Sequence, residues 1–219
     1  MQIGVISDIH GNKVALEAVL ADMPDVDAVV CAGDVVGYNP WHSDCVETVR
    51  ERAIPTVSGN HDRAVVEGSH FGFNSMAGAG VKHARETLTD DRIAWLGDLP
   101  TTRQEFDGRV RIVHGHPDDP DRYTYPREFS ARLLGDEDAL VMGHTHVQAH
   151  ERFEEGVVLN PGSVGQPRDG DPRAAYAVLD LDDLTVTEHR VEYDIDRVRE
   201  AVAEADLPAR IGDRLVSGR

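Results

Sequence analysis

Residues 3–12 read IGVISDIHGN, and this stretch sets a pattern that recurs along the chain. An apolar, β-branched run, which is typical of a buried strand, ends abruptly in Asp8 and His10. Asn12 is then placed to cap a helix over the apolar residues that follow it. The stretch therefore predicts a strand, a polar loop and a helix in direct succession.

Four further apolar runs end in small, acidic, amide or imidazole residues. They are 28–32 before Gly33 and Asp34, 56–58 before Gly59, Asn60 and His61, 110–113 before His114, and 140–142 before Gly143, His144 and His146. In open α/β sheets, ligands bind beyond the carboxyl ends of the strands. We therefore expect these side chains to converge on one rim of the fold.

The rest of the chain contains further helix and strand patterns. Helices are predicted near 14–20, 44–52, 74–88, 90–96 with Thr89 as a cap, 126–134 and 194–205, and strands at 148–153, 157–159, 175–179 and 185–193. The early strands alternate with helices, which indicates a parallel sheet, and the strands after residue 140 indicate a second sheet. The predicted fold class is α/β, a four-layer α-β-β-α sandwich with two mixed sheets packed face to face. We expect a single domain over residues 1–219, with a loosely held tail over the last dozen residues.

The charge of the chain excludes two classes of partner. Forty Asp and Glu oppose 22 Lys and Arg, a formal net charge of -18, so general nucleic-acid binding and membrane association would meet strong repulsion. Lys13 and Lys82 are the only lysines. This composition predicts a halophilic protein, although the arginine bias alone would also fit a GC-rich genome. Cys31 and Cys45 are expected to be buried free thiols, and the lack of a signal-like N-terminus predicts a cytoplasmic location.

The polar residues after the strands offer carboxylate, amide and imidazole donors without a thiolate. This donor set suits divalent ions such as Mn, Fe or Zn rather than a structural zinc site. The candidate ligands are too numerous for one ion but suit two ions that share a carboxylate, which is the arrangement used for phosphoryl displacement. The sequence therefore suggests a phosphoesterase.

Five motifs, DIH (8–10), GDVVG (33–37), GNHD (59–62), VHGHP (113–117) and GHTH (143–146), resemble in this order the calcineurin-like metallophosphoesterase superfamily. Within that superfamily, the stretches at 33–40, 114–120 and 160–180 look like the small bacterial and archaeal phosphodiesterase-type members without a cap domain. The resemblance covers nearly the whole chain.

The resemblance implies a role for each matching residue. It assigns one metal ion to Asp8, His10, Asp34 and His146 and a second to Asp34, Asn60, His114 and His144. Asp34 would bridge the two ions, which we expect to be Mn, with Fe, Zn, Ni and Co as alternatives. His61 would be the catalytic histidine, and Asp62 would orient it. A metal-bridging hydroxide would attack the phosphate.

Simpler structural roles remain open for several of these residues. An Asp after a strand is often a turn former or a helix cap, Asn60 could hold a left-handed turn, and His61 could be an ordinary loop histidine. Arg63 and His116 are candidate substrate-binding residues, and Tyr38, Asn39, Tyr123 and Arg168 could line the pocket or simply pack. Gly162 and Ser163 are expected to form a turn. The other histidines, His42, His70, His83, His150 and His189, are expected to be structural or at the surface.

The expected activity is hydrolysis of a phosphodiester in a small phosphate-ester substrate. Protein phosphatases and dinucleoside tetraphosphatases of the superfamily usually carry an arginine just after the second motif, where this chain reads GDVVGYNP without a cation. A phosphomonoesterase or protein-phosphatase-like activity is the alternative, since Arg63 could compensate. A non-catalytic scaffold is disfavoured because all expected ligands are present. A homo-oligomer is left open.

The net charge of -18 predicts that salt stabilises the protein. Surface carboxylates repel over a Debye length of about 30 Å at 0.01 M salt but only about 3 Å at 1 M. The melting temperature should therefore rise as KCl is raised from about 0.05 to about 3 M, and a chelator should lower it at every salt concentration. A melting temperature that stays flat or falls with KCl would contradict the halophilic interpretation.

Overall fold

Strands and helices alternate as expected from β1 to α2, but helices follow where the third strand was expected, and strands predominate later. The computed structural model describes residues 1–69 and 71–219, so His70 lies outside the described residues. In chain order the elements are β1 (Gln2–Ile6), α1 (Lys13–Asp22), β2 (Ala28–Cys31), α2 (His42–Glu51), α3 (Asn60–Glu67), α4 (Ser75–Thr87), α5 (Asp90–Gly97), β3 (Thr102–Glu105), β4 (Val110–Val113), β5 (Ala139–Val141), β6 (Ala149–Arg152), β7 (Val157–Asn160), β8 (Ala174–Asp180), β9 (Thr185–Val191), α6 (Ile195–Glu204) and α7 (Arg210–Asp213). None of the described helices is both long enough and apolar enough to cross a bilayer.

The strands form two mixed sheets, which confirms the predicted fold class. The first has the order β2-β1-β8-β9, with β1 parallel to β2 and antiparallel to β8. The second has the order β3-β4-β5-β7-β6, with β4, β5 and β7 parallel and an antiparallel strand at each edge. Within each sheet, the carboxyl ends of the parallel strands lie at the same edge.

The apolar core lies between the two sheets and under the helices. Ile3 of β1 belongs to the same buried cluster as Ile112 of β4 and Leu159 of β7, so the inner faces of the sheets contact each other. Because side chains alternate along a strand, Ile6 points to the opposite face and packs with Leu16 of α1. The layers are therefore stacked in the order helices, first sheet and second sheet.

The outer face of the second sheet is covered differently from our prediction. The segment 126–134, expected to be an α-helix, forms two short 3₁₀ turns, Pro126–Glu128 and Ala131–Leu133. Phe129 and Ser130 between them are extended, and Phe129 is buried against Leu140 and Met142 of the sheet. The extended backbone between the two turns places the Phe129 ring on the sheet.

The strands predicted at 175–179 and 185–193 are present but belong to the first sheet instead of the second, and one other predicted strand does not form. Strands β8 and β9 lie beside β1 in the first sheet, because β8 pairs antiparallel with β1 over residues such as Ile3 and Leu179. The run 56–58 is not a full strand and forms one parallel bridge between Thr56 and Cys31. Strand β3 and helix α3 were missed. Cys31 and Cys45 are buried free thiols, as expected.

The C-terminal residues are packed rather than loosely held. Helix α7 is followed by a 3₁₀ turn, Arg214–Ser217, and the side chains of Ile211 and Leu215 are fully buried. They contact a cluster that includes Val14 of α1 and Val198 of α6. The burial of Ile211 and Leu215 therefore holds this otherwise polar segment against α1 and α6.

Truncation of Leu215 tests this packing. We expect Leu215→Ala to lower the free energy of unfolding by about 2–5 kcal/mol, because it removes buried methyl groups and leaves a cavity. The matched control is Val216→Ala, whose side chain is 55% exposed and whose change should stay within about 0.5 kcal/mol. Urea unfolding in concentrated KCl measures both. Equal midpoints for the two variants would contradict the packed C-terminal segment.

Candidate metal centre

The structure brings the expected metal ligands together at one rim of the sandwich. They follow the carboxyl ends of four strands or begin a helix: Asp8 and His10 follow β1, Asp34 follows β2, His114 follows β4, His144 and His146 follow β5, and Asn60 begins α3. Asn60 is partly buried, and the other six are buried. The predicted convergence is therefore present in the geometry.

Asp8, His10 and His146 form a first group of potential ligands. The Asp8 Oδ1 atom lies 3.3 Å from His146 Nε2 and 3.7 Å from His10 Nε2. The two imidazole Nε2 atoms are 3.1 Å apart. All three atoms therefore surround one small space.

Asp34, His114 and His144 form a second group of potential ligands. Asp34 Oδ2 lies 3.4 Å from His114 Nε2, and Asn60 Oδ1 lies 3.1 Å from the same nitrogen. Asp34 Oδ2 is also 3.6 Å from His10 Nε2 of the first group. The Asp34 carboxylate thus lies between the two groups.

Backbone carbonyl groups fix the orientation of the four histidines. A carbonyl can only accept, so the ring nitrogen that faces it carries the proton and the other nitrogen offers its lone pair. The partners are Val36 O for His10 Nδ1 at 3.1 Å, Ala32 O for His114 Nδ1 at 2.7 Å, Gln166 O for His146 Nδ1 at 2.6 Å and Asp121 O for His144 Nε2 at 3.1 Å. The lone pairs consequently point toward the two groups of ligands.

These contacts fit a bound cation. Because both protons are turned away, His10 Nε2 and His146 Nε2 face each other at 3.1 Å with no hydrogen between them. Asp8 Oδ1 is buried beside them and has no hydrogen-bond partner among the described residues. Three unshared acceptors in a buried space repel one another unless a positive ion joins them. The donor set therefore fits a divalent metal ion.

The pKa values of the same groups show how strongly the centre attracts positive charge. Burial raises the pKa of Asp8 to about 7, and the neighbouring Asp34 acts in the same direction. Burial acts to lower the pKa of His114, but Asp34 raises it to about 9. The Asp34 carboxyl, although buried, has a pKa held well below its usual range by His114 and His61. A metal ion would displace protons from Asp8 and His114, so its affinity should rise with pH.

The backbone at the ligands is strained. Five of the expected ligands have left-handed φ angles: Asp8 (53°), His10 (49°), Asp34 (55°), His144 (67°) and His146 (57°). Residues other than glycine rarely adopt such angles, and where they do the surrounding structure holds them in place. The adjacent glycines permit the close approach, since a Cβ at Gly59 would lie 2.0 Å from Asp34 Oδ1. This cluster of strain independently points to a functional site.

Asp62 does not orient His61, contrary to our expectation. Its Oδ2 accepts hydrogen bonds from Asp34 N at 2.9 Å and Gly59 N at 3.0 Å, and its Oδ1 accepts one from Val36 N at 3.2 Å. Its position in the first turn of α3 turns the carboxylate back toward these amides. Asp62 is therefore a positioning residue for the Asp34 loop.

His61 lies beside the metal-ligand groups without a fixed partner. Its ring centroid is 4.7 Å from that of His10, and its buried Nδ1 has no hydrogen-bond partner among the described residues. Burial lowers the pKa of His61 to about 4, against the attraction of Asp34. The imidazole is therefore neutral at pH 7 and carries one proton.

The two candidate substrate-binding residues differ in their distance from the ligands. Arg63 donates to Ser58 O at 2.8 Å and pairs with Asp121, and it lines an adjoining cavity of about 550 Å³ that Asn60 and His144 also line. His116 accepts a hydrogen bond from Asp118 N at 3.1 Å in a tight loop. Neither lines the cavity over the metal-ligand groups. Their substrate-binding roles remain predictions.

That cavity has a volume of about 190 Å³, and its cationic lining residues are Arg168, which was a candidate, and Arg214, which was not. Tyr38, Tyr123 and Arg168 line it, whereas Asn39 donates to His10 O instead. Sequence reasoning missed Phe73, Asn74 and Arg214, which also line it. No local signal identifies Arg214, because only the tertiary fold carries the C-terminal segment there. Gly162 has a left-handed φ angle of 80°, and Ser163 Oγ donates to Asp8 O at 2.7 Å.

Replacement of Asp34 tests the metal centre. Asp34→Asn should reduce the bound metal strongly at both groups, because an amide cannot supply negative charge to two cations. The matched control is Asp91→Asn, whose carboxylate is exposed and pairs with Arg50. Metal content is measured by mass spectrometry after dialysis against Mn²⁺, with circular dichroism as the check on folding. Equal metal content in the two variants would contradict a shared Asp34 ligand.

Comparison with known proteins agrees with this geometry. A family model described as the calcineurin-like phosphoesterase superfamily domain matches residues 1–184. The chain is 37% identical to a metallophosphoesterase from Sphaerobacter thermophilus of known structure, with a TM-score of 0.88 over 100% of this chain and 99% of the other. It is also 32% identical to an uncharacterised protein of Methanocaldococcus jannaschii, over 99% of this chain and 98% of that protein. Phosphodiesterase YfcE of Escherichia coli is 29% identical over 85% of this chain and 91% of its own length. The chain belongs to the calcineurin-like phosphoesterase superfamily.

Proposed function

We propose that this protein is a dinuclear metal-dependent phosphodiesterase. The observation that carries the proposal is the position of Asp34, whose Oδ2 faces His10 Nε2 at 3.6 Å and His114 Nε2 at 3.4 Å. One carboxylate oxygen thus serves two separate groups of nitrogen and oxygen donors. This is the arrangement that two neighbouring ions require.

Each ion would be held by one group together with Asp34. Asp8, His10 and His146 would hold the first, and Asn60, His114 and His144 the second. When bound, the two ions would activate a water molecule and neutralise charge on the phosphate. The absence of thiolates among the donors favours Mn²⁺, with Fe, Zn, Ni and Co as alternatives.

The protein's own residues would orient the phosphate and exclude water. His61 lies against the ligands with Tyr38 and Phe73 beside its ring, at centroid distances of 4.8 Å each. This packing leaves the imidazole little freedom to rotate. A neutral His61 can donate one hydrogen bond to a phosphate oxygen or to the leaving oxygen.

Two observations bear on the choice between diester and monoester. The absence of an arginine in GDVVGYNP (33–40) favours a diester, and the E. coli relative is named a phosphodiesterase. Arg168 and Arg214 at the cavity favour a phosphomonoesterase as the second candidate. A non-catalytic scaffold is disfavoured by the convergence of all the expected ligands. We further propose a small phosphate-ester substrate and a cytoplasmic location in a salt-adapted cell.

Removal of the His61 imidazole tests its catalytic role. His61→Ala should retain its metal but lose about 10²- to 10⁴-fold in rate, as expected when a positioned proton donor or charge stabiliser is deleted. His150→Ala is the control, because His150 is at the surface and pairs with Glu188. The rate is measured with Mn²⁺ in high salt on aryl diesters with leaving groups of different pKa.

The leaving-group series separates two roles for His61. A loss that shrinks for good leaving groups indicates proton donation to the leaving oxygen, whereas an equal loss across the series indicates stabilisation of an equatorial oxygen. A rate for His61→Ala equal to that of His150→Ala would contradict a catalytic role for His61.

A further inference from the structure

Two arginines line the cavity above the metal ligands. Arg168 follows the turn after β7, and Arg214 begins the last 3₁₀ turn of the chain. Both are partly buried. Arg168 lies over the ring of Tyr38, at 5.7 Å from its centroid, and donates to the Tyr38 hydroxyl at 3.1 Å. These contacts hold one guanidinium over the same aromatic ring that packs against His61.

Neither guanidinium pairs with an acidic side chain among the described residues. Arg168 donates to Gln166 Oε1 at 2.9 Å, whereas Arg214 donates to an oxygen of the terminal carboxylate of Arg219. By contrast, Arg63 at the adjoining cavity pairs with Asp121. A chain with 40 acidic residues could easily supply a carboxylate to a structural arginine. Two partly buried guanidinium groups on the wall of one cavity, neither paired with an acidic side chain among the described residues, indicate a site for an anion.

The packing that stabilises the C-terminal segment also holds Arg214 at the cavity. The neighbouring Leu215 is fully buried and fixes the turn against α1 and α6. Burial and the proximity of Arg168 both lower the pKa of Arg214 below its ordinary value. A guanidinium remains charged under such conditions, so the two positive charges repel until an anion joins them. The segment lies beyond the residues 1–184 that match the family model.

The charges indicate which anion fits. With two divalent ions bound, the carboxylates of Asp8 and Asp34 leave the centre a net charge of about +2, which a monoanionic diester and the attacking water-derived anion would neutralise. Arg168 and Arg214 add two positive charges and the terminal carboxylate of Arg219 removes one, so such a diester leaves one positive charge unmatched. We propose that Arg168 and Arg214 together bind a dianionic phosphoryl group of the substrate. This inference rests on the proposed phosphoesterase function and narrows its substrate class.

The dianionic group could come from two sources. In a phosphomonoester it is the scissile phosphate itself, and in a phosphodiester it is a second, terminal phosphate. The substrates that separate them are 4-nitrophenyl phosphate, bis(4-nitrophenyl) phosphate, and a thymidine dinucleotide with and without a 5′-phosphate. At pH 8 a phosphomonoester is dianionic, because its second pKa is about 6.

The experiment compares Arg168→Gln and Arg214→Gln with the control Arg210→Gln. Arg210 lies in the same C-terminal segment but is exposed and does not line the cavity. Binding of inorganic phosphate to the Mn²⁺-loaded proteins is measured by calorimetry, and kcat/KM is measured for each substrate. We expect both variants, but not the control, to bind phosphate about 10- to 100-fold more weakly, since each loses charge-assisted hydrogen bonds.

The kinetic results assign the source of the dianion. A selective loss on 4-nitrophenyl phosphate supports a monoester, and a selective loss on the 5′-phosphorylated dinucleotide supports a second phosphate. If the wild-type protein hydrolyses none of the substrates, the proposed function fails, but weakened phosphate binding in both variants still supports the arginine site. Unchanged phosphate binding, or equal losses on every substrate including bis(4-nitrophenyl) phosphate, would overturn the inference.

Discussion

Burial of the Asp8 and Asp34 carboxylates is the constraint on which the rest of the site depends. Removing a carboxylate from water is costly unless hydrogen bonds and opposite charge replace the lost hydration. Asp8 Oδ2 receives bonds from Ser7 Oγ at 2.8 Å and His144 N at 3.0 Å, and Asp34 Oδ1 receives one from His61 N at 2.9 Å. The other oxygen of each carboxylate faces imidazole nitrogens. One oxygen of each carboxylate is therefore hydrogen-bonded within the protein, and the other oxygen is left to interact with cations.

The loops that hold these carboxylates must be rigid, because their backbones are strained. Left-handed conformations at Asp8, Asp34 and His144 persist since neighbouring elements leave no alternative. Asp62 contributes most visibly by joining the Asp34 loop to the start of α3 through three backbone amides. The strain is concentrated where the ligands converge and is supported by two sheets whose inner faces are closely packed. Stability in the core and geometry at the rim are therefore linked.

The C-terminal segment contributes both to the packing of the fold and to the lining of the cavity. Leu215 packs into the cluster under α1 and α6, while Arg214 next to it reaches the cavity. A change that loosens this packing would also move a cation that faces the substrate. The family model matches the preceding 184 residues, which contain all the expected metal ligands. Arg214 therefore lies outside the region that the family model matches, whereas all the expected metal ligands lie inside it.

The sequence by itself determined the elements that local patterns encode. Apolar runs that end in Asp8, Asp34, His114 and His144 predicted both the strands and the convergence of their loops, because parallel strands share a carboxyl edge. Local patterns could not show that β8 pairs with β1, that 126–134 extends to bury Phe129, or that Asp62 binds amides instead of His61. Nor could they show Arg214 beside Arg168, 46 positions earlier in the numbering. Those outcomes depend on contacts between residues far apart in the chain, which only the packing of the two sheets and the helices decides.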